Sequence, residues 1–153
     1  MHTEPFVVRS QDRERPLSVV GCDVTVLASN ERTGSYEITF VTGQEGVGPP
    51  PHSHPWDEAF FVVEGNVHFV LDGQALQAEA GTLVHIPART IHGFQFGAGG
   101  GKLLEMTGSG GGATRMFRAL DAEVPPGPPD VDFLVQLLAQ HRVCVHAPAA
   151  VDI

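Results

Sequence analysis

The regular spacing of short β-type runs over residues 1–107 constrains the fold of this chain more than any other feature. Runs such as "SYEITFVT", "AFFVVE", "VHFVLDGQALQA" and "TLVHIP" are rich in Val, Phe and Thr, and Gly, Pro, Asn and Asp separate them. They recur at intervals of about 8 to 12 residues, which is typical of antiparallel sandwiches and barrels. We therefore predict an all-β domain of antiparallel strands.

Two dipeptides in this region predict tight turns. Asp72-Gly73 lies between two alternating runs, and both residue types adopt the positive φ that a two-residue hairpin requires. Gly65-Asn66 has the same character and predicts a second hairpin turn, between "AFFVVE" and "VHFVL".

The composition changes after Thr107. The segment "GSGGG" has almost no side chains to pack and predicts a flexible hinge. Beyond it the apolar residues recur at helical spacing, and "ATRMFRALDA" places Met116, Phe117 and Leu120 on one face. We assign residues 1–107 to the N-terminal strands and the β-barrel, and residues 108–153 to a Gly-rich hinge and helical C-terminal extension of the same domain.

A second helix is predicted within "PPDVDFLVQLLAQHR", with Asp130 as its N-cap and Arg142 in its last turn. Its apolar face is broader than a surface helix needs. We expect this face to be buried, either against the barrel or against a second subunit, and we predict a homodimer.

The charge balance excludes some classes of partner. The 153 residues include 18 acidic and 9 basic side chains, which gives a formal net charge of −9. No basic block interrupts this balance, so neither nucleic acid nor an anionic membrane surface is the expected partner. The chain has no signal-like N-terminus and no apolar run of membrane-spanning length. We therefore expect a soluble cytoplasmic protein whose partner is a small-molecule substrate.

The two cysteines do not indicate a metal or redox site. Cys22 and Cys144 are far apart and stand in no C-x-x-C or Cys/His spacing. We expect both to be reduced thiols with a packing role.

The stretch "PPPHSHPWDEAFFVVEG" contains the strongest chemical signal. In a strand the side chains of residues i and i+2 point to the same face, so His52 and His54 can aim their imidazoles at one point. Pro55 favours extended geometry at His54 and argues against a helical pairing of His54 with Glu58. If Glu58 points inward at the start of "AFFVVE", a divalent cation would offset the cost of burying its carboxylate. Histidines near a strand end are, however, more often ordinary surface or core residues.

A second element, "GTLVHIPARTIHGFQF", strengthens the metal interpretation. Gly81, Pro87 and His92 bracket a strand, a turn and the next strand. A partner strand of this kind can bring His92 to the other ligands and complete a cluster of three imidazoles and one carboxylate.

These two stretches resemble the two cupin motifs. The first agrees with G-x5-H-x-H-x3-E-x6-G at every fixed position, which are Gly46, His52, His54, Glu58 and Gly65. The second resembles G-x5-P-x-G-x2-H-x3-N at Gly81, Pro87 and His92, with Arg89 in place of Gly and Phe96 in place of Asn. The chain is thus identified as a member of the cupin superfamily, similar to the single-domain quercetinase-like type. The expected fold is a single jelly-roll-like cupin β-barrel with a short helical tail.

The resemblance implies a site and an activity. The metal ligands would be His52, His54, Glu58 and His92, holding one divalent transition metal ion: iron, nickel, manganese, cobalt, zinc or copper. Glu58 would also be the catalytic residue, taking a proton from the substrate of a dioxygenase. The apolar side chains expected to form the substrate pocket, which favour an aromatic or enolic substrate, are Phe60, Val62, Phe69, Phe94 and Phe96.

Two other functions remain open at this stage. The same scaffold supports metal-dependent isomerases, lyases and cyclases that use the metal as a Lewis acid without oxygen. It also supports non-catalytic modules that bind small molecules, because a fold alone does not determine a reaction.

Overall fold

The computed structural model describes residues 3–147. Residues 1, 2 and 148–153, which include the last part of the predicted helical extension, lie outside the described residues.

The described residues form nine strands, a 3-10 turn at Ser10–Asp12 and three helical segments. The strands are β1 (Leu17–Val19), β2 (Cys22–Ala28), β3 (Glu37–Gly43), β4 (His52–Ser53), β5 (Glu58–Leu71), β6 (Gln74–Glu79), β7 (Leu83–Ile86), β8 (His92–Thr107) and β9 (Cys144–Val145). The helices are α1 (Asn30–Thr33), α2 (Ala113–Glu123) and α3 (Val131–Gln140).

Two long strands, β5 and β8, form the centre of the sheet. They pair with each other, while β8 also pairs with β3 and β4, and β5 also pairs with β6 and β7. Every pairing is antiparallel, and the sheet curls around an apolar interior. The prediction of an all-β antiparallel fold is therefore confirmed.

One predicted turn is present and the other is not. Asp72 and Gly73 have φ of 47° and 82° and join Leu71 to its partner Gln74, as a two-residue hairpin requires. The turn predicted at Gly65-Asn66 is wrong, because β5 runs through both residues. Gly65 instead has a φ of 83° within a register shift, so its positive φ produces a β-bulge rather than a chain reversal.

The inward face of β5 agrees with the expected alternation. Glu58, Phe60 and Val62 are buried, whereas Phe61, which lies between the last two, and Val63, which follows them, are exposed. The Glu58 carboxylate thus points into the interior, as its position at the start of the strand predicts.

Helix α2 covers one end of the curled sheet. Its Met116, Phe117 and Leu120 are buried on one face, as the sequence predicts. Its first turn has no side-chain cap of its own, but the buried Glu37 of β3 accepts hydrogen bonds from the Ala113 and Thr114 backbone N–H groups, at 3.0 and 3.2 Å. A barrel carboxylate therefore stabilises the positive end of this helix.

Helix α3 begins as predicted but is less buried than expected. The Asp130 side chain accepts a hydrogen bond from the Phe133 N–H at 3.1 Å, so it is the N-cap. Leu137 and Leu138 are buried, but Val131, Phe133 and Val135 are exposed. The helix ends at Gln140, before the predicted last turn at Arg142. Within residues 3–147 no helix is both long enough and apolar enough to cross a membrane.

The two departures from the second motif have distinct structural settings. Arg89 has a φ of 69°, a left-handed conformation that a glycine adopts without steric cost. Phe96 is buried in the core, and its ring lies where a Cβ on Gly43 would come within 2.4 Å of it. The glycine at position 43 therefore provides the space for this ring.

Candidate metal centre and adjoining cavity

Three histidines converge where β4 meets β8. His52 lies directly opposite His92 in the β4–β8 pairing, and His54 follows just after β4. One ring nitrogen from each of the three lies within 4.8 Å of the others, a spacing at which they could hold one metal ion. His54 and His92 are buried, and His52 is partly exposed.

Backbone carbonyls determine the tautomer of all three rings. The Nδ1 atoms of His52, His54 and His92 hydrogen-bond the carbonyl oxygens of Pro50, Trp56 and Thr90, at 2.8, 3.0 and 2.8 Å. A carbonyl oxygen only accepts, so each Nδ1 carries the proton and each neutral ring keeps its lone pair on Nε2. This is the arrangement found around histidines that bind metals.

Glu58 completes the cluster. One of its carboxylate oxygens contacts His54 Nε2 and lies 3.5 Å from His92 Nε2. The His92 Nε2 atom is fully buried and has no hydrogen bond of good geometry within residues 3–147. Carboxylate oxygens and imidazole lone pairs repel one another unless a cation lies between them, so this donor set fits a metal ion.

The electrostatic environment shifts the pKa values of the clustered groups in different directions. Burial, reinforced by the neighbouring His92, lowers the pKa of His52 to about 4. Burial alone would raise the pKa of Glu58, but the adjacent His54 and His92 rings outweigh it and lower that pKa. For His92, burial acts to lower the pKa, and interaction with Glu58 raises it above its ordinary value.

The residues after His54 hold the cluster in place. The Trp56 ring is buried and stacks on the His54 ring, with centroids 4.3 Å apart and planes 6° from parallel. The Asp57 side chain accepts a hydrogen bond from the Ala88 N–H at 2.8 Å, which ties this loop to the turn before β8. The stacking on His54 could not be read from the sequence, which showed only that Trp56 lies between two ligands.

Three members of the cluster, His52, His54 and Glu58, line a cavity of about 290 Å³, and the buried His92 lies behind them. That volume is at the lower end of the roughly 300–1,000 Å³ typical of small-molecule sites. Phe60 and Phe94, two of the expected pocket residues, line it, whereas Val62 and Phe69 are completely buried in the core and do not reach it. Phe96 packs beside Phe94, with centroids 5.6 Å apart, and also lies outside the lining.

Helices α2 and α3 form the other wall of the cavity. The residues that they contribute are mostly apolar and include Met116, Phe117, Leu120, Leu134 and Leu138. The helical extension thus takes part in the site, which the sequence did not show.

Two further cavity residues, Cys22 and Glu105, were not identified from the sequence. Burial, with the nearby Glu105 carboxyl, raises the pKa of the Cys22 thiol to about 12. Burial also raises the pKa of Glu105 well above its ordinary value, and the neighbouring Glu58 and Glu37 raise it further. The sequence offered one clue to Glu105, which is its position as a single acidic residue in the apolar run "KLLEMT". The residues that surround it in the fold depend on the pairing of β3, β5 and β8, which the sequence does not show.

The curled antiparallel sheet thus brings three histidines and one carboxylate together, and three of these residues, His52, His54 and Glu58, line an inner cavity. The Cupin domain family matches residues 39–104, a range that includes all four of these side chains. Residues 39–104 therefore match the cupin domain, and the resemblance seen in the two motifs is confirmed.

A curated relative and several solved structures are similar to the chain. Quercetin 2,3-dioxygenase from Bacillus subtilis (strain 168) is 28% identical over 92 residues, which are 60% of this chain but 27% of the relative. The chain thus spans about a quarter of that enzyme's length. An RmlC-like cupin from Shewanella frigidimarina has a TM-score of 0.62 and 21% identity, over 71% of this chain and 95% of its own. The polyketide cyclase RemF from Streptomyces resistomycificus has a TM-score of 0.59 and 20% identity, over 69% of this chain and 80% of its own. These structural similarities support the fold.

Proposed function

We propose that this protein is a metal-dependent dioxygenase, similar to the quercetinase type, that acts on a small aromatic or enolic substrate. The observation that supports this most is the convergence of three imidazoles and the Glu58 carboxylate in one cluster, of which His52, His54 and Glu58 line an apolar cavity. A site in the open, with the same donors, would have no means of retaining an apolar molecule.

The proposed ligands are His52, His54, His92 and Glu58, and the proposed ion is one divalent transition metal. Three neutral imidazoles and one carboxylate suit iron, nickel, manganese, cobalt, zinc and copper. When bound, such an ion would act as a Lewis acid and as a centre for dioxygen chemistry.

Glu58 is proposed to act as the general base as well as a ligand. Its carboxylate is held by the histidines and faces the cavity, so a substrate hydroxyl at the wall would come within hydrogen-bond reach. The proton of that hydroxyl would pass to a carboxylate oxygen, and the substrate would remain as its anion.

The cavity walls favour an aromatic substrate. Phe60 and Phe94 lie edge to face, with centroids 5.2 Å apart, and both line the cavity. Aromatic rings pack well against such edges. The volume of about 290 Å³ favours a small substrate.

The similarity to the Bacillus subtilis dioxygenase favours oxygen chemistry over the other reactions of this scaffold. The alternatives are a metal-dependent isomerase, lyase or cyclase, and a non-catalytic module that binds small molecules. The likeness to a polyketide cyclase keeps the cyclase in consideration.

Oxygen consumption tests the proposal directly. Protein loaded separately with each candidate metal is offered flavonols and catechols in an oxygen-electrode cell, and products are identified by mass spectrometry. Uptake that depends on metal and is abolished in Glu58→Gln supports the dioxygenase. Turnover of the same compounds without oxygen would favour an isomerase, lyase or cyclase, and binding without turnover would favour the binding module.

We also propose that the protein forms a homodimer in the cytoplasm. The outer face of the sheet exposes Phe61 and Val63 on β5 and Leu83 on β7, and Leu83 is the direct partner of Phe61. Adjacent exposed apolar side chains of this kind favour association. Light scattering on the wild type and on Leu83→Lys tests this, with a shift toward monomer expected in the variant.

A further inference from the structure

The strand pairing places Glu105 inside the curled sheet. On β8 it lies between the buried Leu103 and Thr107, and it is the direct partner of the buried Phe60 on β5 and Thr39 on β3. Directly paired residues in a sheet point to the same face, so the Glu105 side chain points inward with Phe60. It is also one of the residues that line the cavity.

Glu105 has no protein partner for its carboxyl group. Among residues 3–147 no side chain or backbone group hydrogen-bonds it or forms an ion pair with it. No lysine or arginine of the described residues lines the cavity. Glu105 is half-buried, and a carboxyl group that lines a mostly apolar cavity without a protein partner is available to a polar group of a ligand.

Two other carboxylates near Glu105 have their charges compensated. Glu37 accepts the two N–H groups at the start of α2, and Glu58 contacts the histidine cluster. Both are partners of Thr107, on either side of β8, and Thr107 is two residues from Glu105 on the same face. Glu105 has no such partner, so its burial, with these two acidic groups beside it, favours the neutral acid.

This neutral state is consistent with the raised pKa of Glu105, which results first from burial and then from Glu58 and Glu37. A neutral carboxyl group differs from a carboxylate in what it can bind. It donates one hydrogen bond through its O–H and accepts others, as an alcohol does.

We propose that Glu105 forms a second subsite of the cavity, which binds an uncharged hydroxyl or carbonyl group at the end of the substrate away from the metal centre. Glu58 and Glu105 are diagonal neighbours on β5 and β8, a relationship that separates the two residues by roughly 7–8 Å and their Cβ atoms by somewhat less. A single ring with oxygen substituents at opposite ends spans such a distance. A substrate with a carboxylate at this end is disfavoured, because the cavity offers no cation to pair with it.

This inference rests on the proposed function, which places the substrate in the cavity beside Glu58. It adds the class of that substrate, an aromatic molecule with an uncharged hydroxyl or carbonyl group at the far end. It would make Glu105 a specificity-determining residue, with Glu58 and the histidines responsible for the chemistry.

The test compares two catechols that differ only at the far end. 4-(Hydroxymethyl)catechol and 4-methylcatechol are titrated calorimetrically into metal-loaded protein, and into chelator-treated protein whose metal content is measured separately. The variants are Glu105→Gln, which keeps a neutral hydrogen-bonding group of the same shape, and Glu105→Leu, which removes it. Thr39→Val is the matched control, because Thr39 is the buried cross-strand partner of Glu105 but does not line the cavity.

Wild type, Glu105→Gln and Thr39→Val are expected to prefer the hydroxymethyl compound by roughly three- to tenfold, the effect of one net hydrogen bond. Glu105→Leu is expected to lose that preference. An unchanged preference in Glu105→Leu, or no binding of either catechol to either form, overturns the subsite. A different result would contradict the proposed function, namely the absence of stoichiometric metal or of metal-dependent turnover. In that case the titrations of chelator-treated protein still show whether Glu105 selects the hydroxyl group.

Discussion

His52 and His92 face each other across β4 and β8, with ring centroids 4.3 Å apart. Because they are direct partners in the pairing, the register that joins these strands also determines the spacing of the two Nε2 atoms. The placement of these two rings therefore comes from the pairing of the backbone strands.

Replacement of His92 by Ala is expected to abolish stoichiometric metal binding. The change removes one of four converging donors, and a loss of more than about 100-fold in affinity is expected, because loss of an outer-shell partner alone typically costs 10- to 100-fold. Elemental analysis of purified protein measures it. His85→Ala is the control, since His85 is exposed on β7, and equal metal content in both variants would contradict the assignment.

Metal addition is expected to raise the thermal stability of the wild type. A ligand that binds only the folded state contributes about 2.7 kcal/mol at a free concentration of 100 times its Kd. The shift in melting temperature should disappear with a chelator and in Glu58→Gln. An equal shift in Glu58→Gln would indicate that the ion binds elsewhere.

The stability of Glu105→Gln relative to the wild type is expected to rise with pH. The folded pKa of Glu105 is raised above the ordinary 4.5, so below that value the residue is protonated in both folded and unfolded states. Above it the unfolded chain loses a proton that the folded wild type keeps, and the wild type loses up to about 1.4 kcal/mol per pH unit relative to the variant. This loss continues until the pH passes the folded pKa.

Urea unfolding of chelator-treated protein between about pH 5 and about pH 8 measures this difference. Glu79→Gln, on the exposed β6, should run parallel to the wild type. A Glu105→Gln curve that also runs parallel would show that Glu105 is ionised in the folded protein.

Arg89→Gly is expected to be more stable than Arg89→Ala by about 1 kcal/mol. Position 89 has a φ of 69°, and this left-handed conformation costs roughly 1–2 kcal/mol for a residue with a Cβ. Glycine avoids that cost, but its greater freedom in the unfolded chain offsets part of the gain. Both variants keep the N–H that donates to the His54 carbonyl at 2.8 Å. Equal free energies of unfolding would show that this turn relaxes when the side chain is shortened.

Much of the fold and the four converging residues could be predicted because they depend on local patterns. The alternation at Glu58, Phe60 and Val62 required only that the strand exist, and it placed the carboxylate on the inner face. The Gly65-Asn66 turn was wrong because a residue with positive φ suits a β-bulge as well as a hairpin, and only the length of β8 beside β5 distinguishes them.

The rest could not be predicted because it depends on pairing between distant segments. Val62 and Phe69 point inward as expected. Inward positions along a long strand lie at different depths, however, and these two side chains pack in the core and do not line the cavity. Glu105 acquires its role from β3 and β5 on either side of it, and the contribution of α2 and α3 to the cavity depends on how the helical extension folds back.

The hydrogen bonds from the first turn of α2 to Glu37 have a consequence for how this chain can vary. A buried anion in the sheet has a helix terminus as its only neutralising neighbour among residues 3–147, so sheet and helix are joined by charge as well as by packing. A shorter variant of the chain that ended after β8 would keep the Glu37 carboxylate and lose the N-terminus of α2 that stabilises it. Loss of the helices would therefore be tolerated only together with a change at position 37, and the two should be gained or lost as a pair.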